Sequence, residues 1–288
     1  MKVRYLWLGI WWFLIPVAHG QSNDEILWMH PDFPPIFVAS GPRMGEGVGD
    51  RISRQITAQM PNYRHEKEVA NFKRIVETIG TGRQVCAMTL LKNPERAERV
   101  SFSKPYMLSP HNSVITFRRL LPKFKPYMDK HGAVSLVALM QQKDLKLGYS
   151  LGRSYGKQLD GVVAKHAHTR NSSQTSGSDI FKGLMRMLQY GRVSHTIGYA
   201  YEAQYMATKL GFAEPIITLP IQESPDYTKV YVGCPKTPWG ATVLKKVNRI
   251  IDADRQKPSL YKVYRSWLGP EAWQRYKLAT EKFWRAEP

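Results

Sequence analysis

Apolar and polar positions along the chain alternate between two periods, and the switches mark the elements. Ile26-Leu27-Trp28-Met29 is a short apolar run that reads as a strand. His30-Pro31-Asp32-Phe33-Pro34-Pro35 follows as a rigid loop, because its prolines fix the backbone and exclude a helix. Ile52 and Ile56 share one helix face, which Asp50 caps and Pro61 ends. Tyr63 to Val69 predicts a second strand. Phe72, Ile75, Val76 and Ile79 have the i, i+3, i+4, i+7 spacing of an amphipathic helix, closed by Gly80 and Gly82. Val85-Cys86-Ala87-Met88 is a third, buried strand, and Pro94 breaks the chain after it. Strand, helix, strand, helix, strand implies a parallel sheet of the βαβ type. Ligands on such sheets bind at the carboxyl ends of the strands. Phe33 and Arg96 both fall there, one after each of two strands.

The pattern continues with an apolar strand over Ser113–Phe117 and a basic, proline-punctuated stretch to Gln142 with a short helix near Val134–Met140. A strand to Tyr149, a helix after Ser154 and a polar loop over Asn171–Ser178 follow. Ile180, Leu184 and Leu188 lie on one helix face. Val193–Tyr199 is a strand, Glu202–Leu210 a helix, and Ile216–Leu219 and Val230–Gly233 are strands. Three apolar faces close the chain: Val243, Leu244, Val247, Ile250 and Ile251; then Leu260, Val263, Tyr264 and Trp267; then Trp273, Tyr276 and Phe283.

Length and charge narrow the class. The chain has 288 residues, enough for one large domain or two small ones, and 43% of them are apolar, as in an ordinary globular protein. Lys2 and Arg4 precede an apolar run over Leu6–Val17 that is short for a bilayer span, and Ala18-His19-Gly20 supplies small residues. Residues 1–20 therefore read as a secretory signal peptide cut after Gly20, and the mature protein as periplasmic. The formal charge of +19 leans toward an anionic partner. The basic residues are scattered and no nucleic-acid motif is present, so no nucleic acid is expected.

Arg96 is the candidate anion anchor. A planar guanidinium in a loop at a strand's end suits a carboxylate. The alternative is that Glu95, Arg96, Glu98 and Arg99 form a solvated helix face. The glycines at 41–49 lack the Lys-Ser/Thr of a phosphate loop. The sequence carries no GxSxG, HExxH or CxxC, so no catalytic residue and no cofactor is expected. His166 and His168 lack further ligands nearby, and no metal is expected.

Pro94-Glu95-Arg96-Ala97-Glu98-Arg99-Val100 and Phe102-Ser103-Lys104-Pro105-Tyr106 resemble the signature of the bacterial extracellular solute-binding proteins of family 3, which serve polar amino-acid ABC transporters. Phe33-Pro34-Pro35, Leu147 to Ser154 and Gly191-Arg192-Val193 resemble further family segments, in the right order. The resemblance implies an α/β, two-lobed type II periplasmic-binding-protein fold. Each lobe would be a mostly parallel sheet flanked by helices, and two hinge crossovers would join them. Residues 21–116 and 228–288 would form the first lobe and 117–227 the second, with Ser113–Phe117 and Val230–Gly233 as crossing strands. It also makes Cys86 and Cys234 neighbours in the first sheet, either bridged or as two buried thiols.

By resemblance Phe33 stacks on the ligand and Arg96 holds its carboxylate. The usual hydroxyl position falls on Leu91, with Thr89 as a substitute. Ser154 and Ser173, each after a strand of the second lobe, are candidate hydroxyls, although capping serines read the same. Tyr199 stands where the family's ammonium-binding Asp belongs, and a phenol cannot supply that charge. Glu202 is near enough in sequence to stand in. The expected protein is a monomeric periplasmic solute-binding protein for a small anionic solute, working with an ABC permease or as a sensor. The alternative is an exported enzyme on the same fold, similar to a cyclohexadienyl or prephenate dehydratase, with Asp32 or Glu202 as the acid.

Overall fold

The computed structural model describes residues 25–167, 169–177, 179–256 and 259–285. The leader read at residues 1–20 and its cleavage point lie outside the described residues. The first part of the chain runs β1 (Glu25–His30), α1 (Val48–Ala58), β2 (Arg64–Val69), α2 (Phe72–Gly80), β3 (Val85–Leu91), α3 (Pro94–Arg99), β4 (Val100–Phe102), β5 (Met107–Pro110) and β6 (Ser113–Phe117). It continues with α4 (Leu121–Phe124), α5 (Leu136–Met140), β7 (Leu147–Ser150), α6 (Lys157–His166), β8 (Ser172–Thr175), α7 (Ile180–Gln189), β9 (His195–Gly198) and α8 (Ala200–Lys209). The last elements are β10 (Ile216–Pro220), β11 (Tyr227–Pro235), α9 (Pro238–Gln256) and α10 (Ser259–Arg285).

Two sheets flanked by helices make two lobes. The first has the order β2-β1-β3-β11-β4, with β5 also on β11; the second has the order β10-β6-β9-β7-β8. The parallel pairing expected from βαβ spacing holds for β2-β1-β3 and for β9-β7-β8, while β11 and β6 run antiparallel to their neighbours. Both sheets are therefore mixed. Every residue of β3 is buried, which suits a central strand with one polar residue, Thr89. At the edge, β2 reads Arg-His-Glu-Lys-Glu-Val, and such charge discourages pairing with another chain.

The predicted helix faces pack as their spacing requires. Phe72, Ile75 and Ile79 are buried, and so are Val243, Leu244, Val247, Ile250 and Ile251. Asp50 sits in the first turn of α1; its Oδ2 accepts the Val38 and Gly47 N–H groups, each at 3.0 Å. Cys86 Sγ and Cys234 Sγ are bonded at 2.04 Å, joining β3 to β11.

Three expectations are corrected. Ser113–Phe117 does not leave the first lobe as a crossing strand: it lies within the second sheet, between β10 and β9. Likewise β11, which contains Val230–Gly233, lies wholly in the first sheet, so the connections are residues 111–112 and 221–226 rather than strands. The polar stretch Asn171–Ser178 contains β8, an edge strand whose Ser-Ser-Gln-Thr sequence has no buried side to betray it. The last two apolar stretches fall in one helix, α10, along which Leu260, Tyr276 and Trp284 are buried.

His195, at the start of β9, contributes a pH dependence to the second lobe. It is fully buried, edge-on to Phe124 at 5.5 Å, and neither ring nitrogen has a partner among the described residues. Burial pulls its pKa down from 6.5 to about 3. A base with a depressed folded pKa contributes full stability above the unfolded value and loses it as pH falls. The His195 contribution to stability is thus expected to fall by about 1.4 kcal/mol per pH unit from pH 6.5 toward pH 3. Urea denaturation across that range checks it, and His195→Leu should flatten this part of the slope. An unchanged slope in His195→Leu would exclude the assignment.

Candidate functional site

The ends of β1 and β3 face the turn after β7 across the gap between the lobes. The turn after β1 is closed by Phe33 N–H donating to Phe37 O at 3.0 Å, and it buries Phe33 edge-on to Phe72 at 5.9 Å. The Pro34–Pro35 peptide within it is cis. At the end of β3, Thr89 holds φ +60, a left-handed backbone that a β-branched residue rarely adopts. The Tyr106 hydroxyl accepts its N–H at 3.1 Å, and its own hydroxyl donates to Met88 O at 2.6 Å.

Asn93 and Pro94 start α3, with the Asn93 side chain accepting Arg96 N–H at 2.8 Å. This start turns Arg96 inward. Glu95, Glu98 and Arg99 are exposed, but Arg96 is 5% exposed, so the solvated-face alternative fails at this one position. Its guanidinium donates to Leu91 O at 3.0 Å and, across the lobes, to Gly152 O at 2.8 Å. Burial lowers its pKa, opposed by the charges of Asp160 and Glu95.

From the second lobe, Gly152 holds φ +76 and comes so close that a Cβ there would lie 2.7 Å from Lys73. Ser154 Oγ donates to Asp160 Oδ2 at 2.5 Å, and Asp160 also accepts from Tyr155 N–H and from Asn93 across the gap. Ser154 is thus both a cleft residue and part of the hydrogen bonding that starts α6. Asn71 Nδ2 donates to Ser176 O at 3.1 Å, a further bond between the lobes. Tyr199 is buried and stacked on Tyr201 at 5.1 Å. Burial pushes its pKa up, and nearby Arg153 pulls the other way.

These contacts close the lobes on each other around an inner cavity of about 30 Å³. Phe33, Thr89, Leu91, Arg96, Ser154 and Tyr199 all line it. Ser173 does not: it lies inside β8 rather than after a strand, and this corrects its expected place. A groove of about 440 Å³ adjoins the cavity; Arg96, Arg153 and Ser154 line both, and Lys73, Arg99 and Asp160 line the groove alone. The groove is large enough for a small solute.

Sequence reasoning missed Arg153. Its guanidinium makes a bidentate pair with Glu202, 2.8 Å to each carboxylate oxygen, with side chains 2% and 0% exposed. Burial pulls the Arg153 pKa down, but the Glu202 carboxylate more than offsets this and leaves it above its ordinary value. Glu202 Oε2 also accepts Tyr199 N–H at 3.2 Å. Glu202 is therefore committed, which removes it as the stand-in for an ammonium ligand. Asp32 does not line the cavity; its Oδ1 accepts Ala39 N–H at 3.1 Å. Among the described residues no cluster of three or more metal-ligating side chains gathers, and His168 lies outside them.

The bacterial extracellular solute-binding protein model of family 3 matches residues 26–270. No curated protein matches significantly. Among solved structures, a histidine kinase sensor domain with similarity to periplasmic binding proteins superimposes with a TM-score of 0.65 at 13% identity, covering 85% of this chain and 95% of its own. An ABC uptake transporter substrate-binding protein from Streptococcus pneumoniae with bound histidine gives 0.64 at 15% identity, covering 87% and 95%. An ancestral amino acid-binding protein, a precursor of cyclohexadienyl dehydratase, gives 0.63 at 15% identity, covering 86% and 96%. At these identities the likeness is one of fold.

Proposed function

We propose, from the premise that this chain belongs to the bacterial extracellular solute-binding proteins of family 3, that it captures a small carboxylate-bearing solute lacking an α-amine in the cleft between its lobes. One observation carries this reading: the ionised side chains lining the inner cavity are two arginines, Arg96 and Arg153, and the nearby carboxylate of Glu202 is already paired. An α-ammonium placed in the inner cavity would meet no carboxylate on its wall; the carboxylates of Glu77, Glu95 and Asp160 line only the outer groove. Phe33, Phe72, Tyr199 and Tyr201 supply an aromatic lining, which suits an aromatic or otherwise apolar acid. The protein would act as a periplasmic monomer after loss of residues 1–20, delivering its solute to an ABC-type permease or to a sensor.

A thermal-shift screen of the mature protein tests this, with amino acids, keto acids, aromatic acids, dicarboxylates and short peptides. A ligand at about a hundred times its dissociation constant adds about 2.7 kcal/mol and moves the midpoint by a few degrees. The expected result is a shift with an amine-free acid that disappears in Arg96→Ala. A comparable shift with glutamine, histidine or arginine would overturn the reading. The dehydratase-like alternative needs an acid free to protonate a leaving hydroxyl. Glu202 has both oxygens bonded to Arg153, and Asp32 is off the cavity wall, so neither supports it.

A further inference from the structure

Arg153 lies in surroundings that proteins build to hold a cation. Its guanidinium carbon sits 4.8 Å from the centre of the Phe33 ring, 5.1 Å from Tyr155, 5.5 Å from Tyr199 and 5.6 Å from Phe181. Aromatic faces attract a desolvated cation, and the paired oxygens of Glu202 complete a planar fork-to-fork contact. Three of the four rings and the carboxylate come from the second lobe; Phe33 alone comes from the first and covers the open side. The backbone is shaped for this cage as well. A Cβ on Gly198 would lie 2.7 Å from the Phe181 ring and 3.0 Å from Glu202 Oε2, so glycine there lets both side chains reach the guanidinium.

We infer that Arg153 is the specificity-determining residue of the cleft: its guanidinium occupies, from within the chain, the aromatic and carboxylate cage that would otherwise receive the cationic group of a solute. Two consequences follow from the arrangement. Cationic solutes are excluded, because their counter-ion and their ring faces are taken. The lobes also gain a closing contact, Phe33 over Arg153, that needs no solute. The inference rests on the cleft being a solute site, as proposed above, and it names what sets the charge preference there.

The test removes the tethered cation and returns a free one. Arg153→Ala retains Cβ, and ethylguanidinium supplies the atoms removed. In the full-length mature protein, millimolar ethylguanidinium chloride should raise the melting midpoint of Arg153→Ala by about 2–5 °C. Ethylammonium chloride and potassium chloride at the same ionic strength should do less. Wild type, whose cage is full, and Arg153→Ala/Glu202→Gln, whose cage lacks its charge, should not respond beyond the salt controls. If Arg153→Ala does not fold unaided, ethylguanidinium-dependent recovery of its near-ultraviolet circular dichroism is the same result. Absence of any ethylguanidinium-specific effect in Arg153→Ala would overturn the inference, as would an equal effect in wild type or in the double variant. The measurement needs no carboxylate ligand, so its outcome is independent of the solute screen. An acid that binds wild type beside a cage that rejects ethylguanidinium would sink this inference alone. Rescue without any acid binding would sink the carboxylate reading alone.

Discussion

Glu202→Ala is expected to lower stability by about 3–5 kcal/mol, the effect of stranding a buried charge. The stranded group would be Arg153, which cannot shed its proton and has only ring faces left around it. Removing the other partner is expected to be milder. In Arg153→Ala the remaining carboxyl, which burial already pushes up, can take a proton and become neutral. The two variants should therefore differ in their pH response. An acid whose folded pKa is raised contributes most below its unfolded value and loses that contribution as pH rises, so Arg153→Ala should close its gap to wild type as pH falls from neutrality. Replacing both partners, as in Arg153→Met/Glu202→Leu, should recover most of the stability lost in Glu202→Ala, since dry ion pairs and apolar pairs are of similar worth. Urea denaturation of the four proteins decides it. A loss below about 1 kcal/mol in Glu202→Ala would mean that the pair behaves as a solvated one.

Gly152→Ala is expected to hold the lobes apart. Two effects act there. The left-handed backbone, φ +76, costs an L-residue about 1–2 kcal/mol. The new Cβ would also lie 2.7–2.8 Å from Lys73 N, Cα and Cβ at the start of α2, atoms of the opposite lobe. That clash exists only when the lobes meet, so opening relieves it without unfolding either one. The predicted result is a larger radius of gyration by small-angle scattering and a loss of solute affinity, with the melting midpoint lowered only modestly. Gly132→Ala is the matched control: φ is +79 there, but no atom lies within 4 Å of the added Cβ. It should share the backbone strain and leave scattering and affinity unchanged. Identical behaviour of the two variants would show that the Lys73 contact does not limit closure.

The first lobe was the more legible in sequence because its signals are local. Phe72, Ile75 and Ile79 announce one buried helix face, and the apolar Val85–Met88 run announces the strand that leads to Arg96. What periodicity does not report is which sheet an apolar strand joins, and so Ser113–Phe117 was expected to leave the first lobe and instead lies inside the second sheet. Polar edge strands are equally silent. Ser172–Thr175 has no alternation to detect, and Ser173 was consequently set at a strand end it does not occupy. Within the site, Arg96 could be found because it follows a buried strand and the break at Pro94, although it sits in the short helix α3 rather than in a loop. Arg153 could not, because its meaning lies in Glu202, 49 positions along the chain, and in rings from four separate stretches. Glu202 itself was noticed for the wrong reason: it is near Tyr199 in sequence, but its partner is a protein cation rather than a solute's.

The place of β11 between β3 and β4 has a consequence for how the molecule comes into being. All the strands of the second sheet lie within residues 113–220, an uninterrupted run that can be completed as soon as it emerges. The first sheet cannot. Its central strand β3, buried along its whole length in the finished protein, must wait for residues 227–235 before its second side is covered. A chain that appears N-terminus first thus presents a naked, apolar strand edge throughout the interval in which the second lobe is made, and such edges invite association between chains. The architecture that lets two lobes share a cleft also leaves β3 with one edge uncovered until the last strand of its sheet arrives.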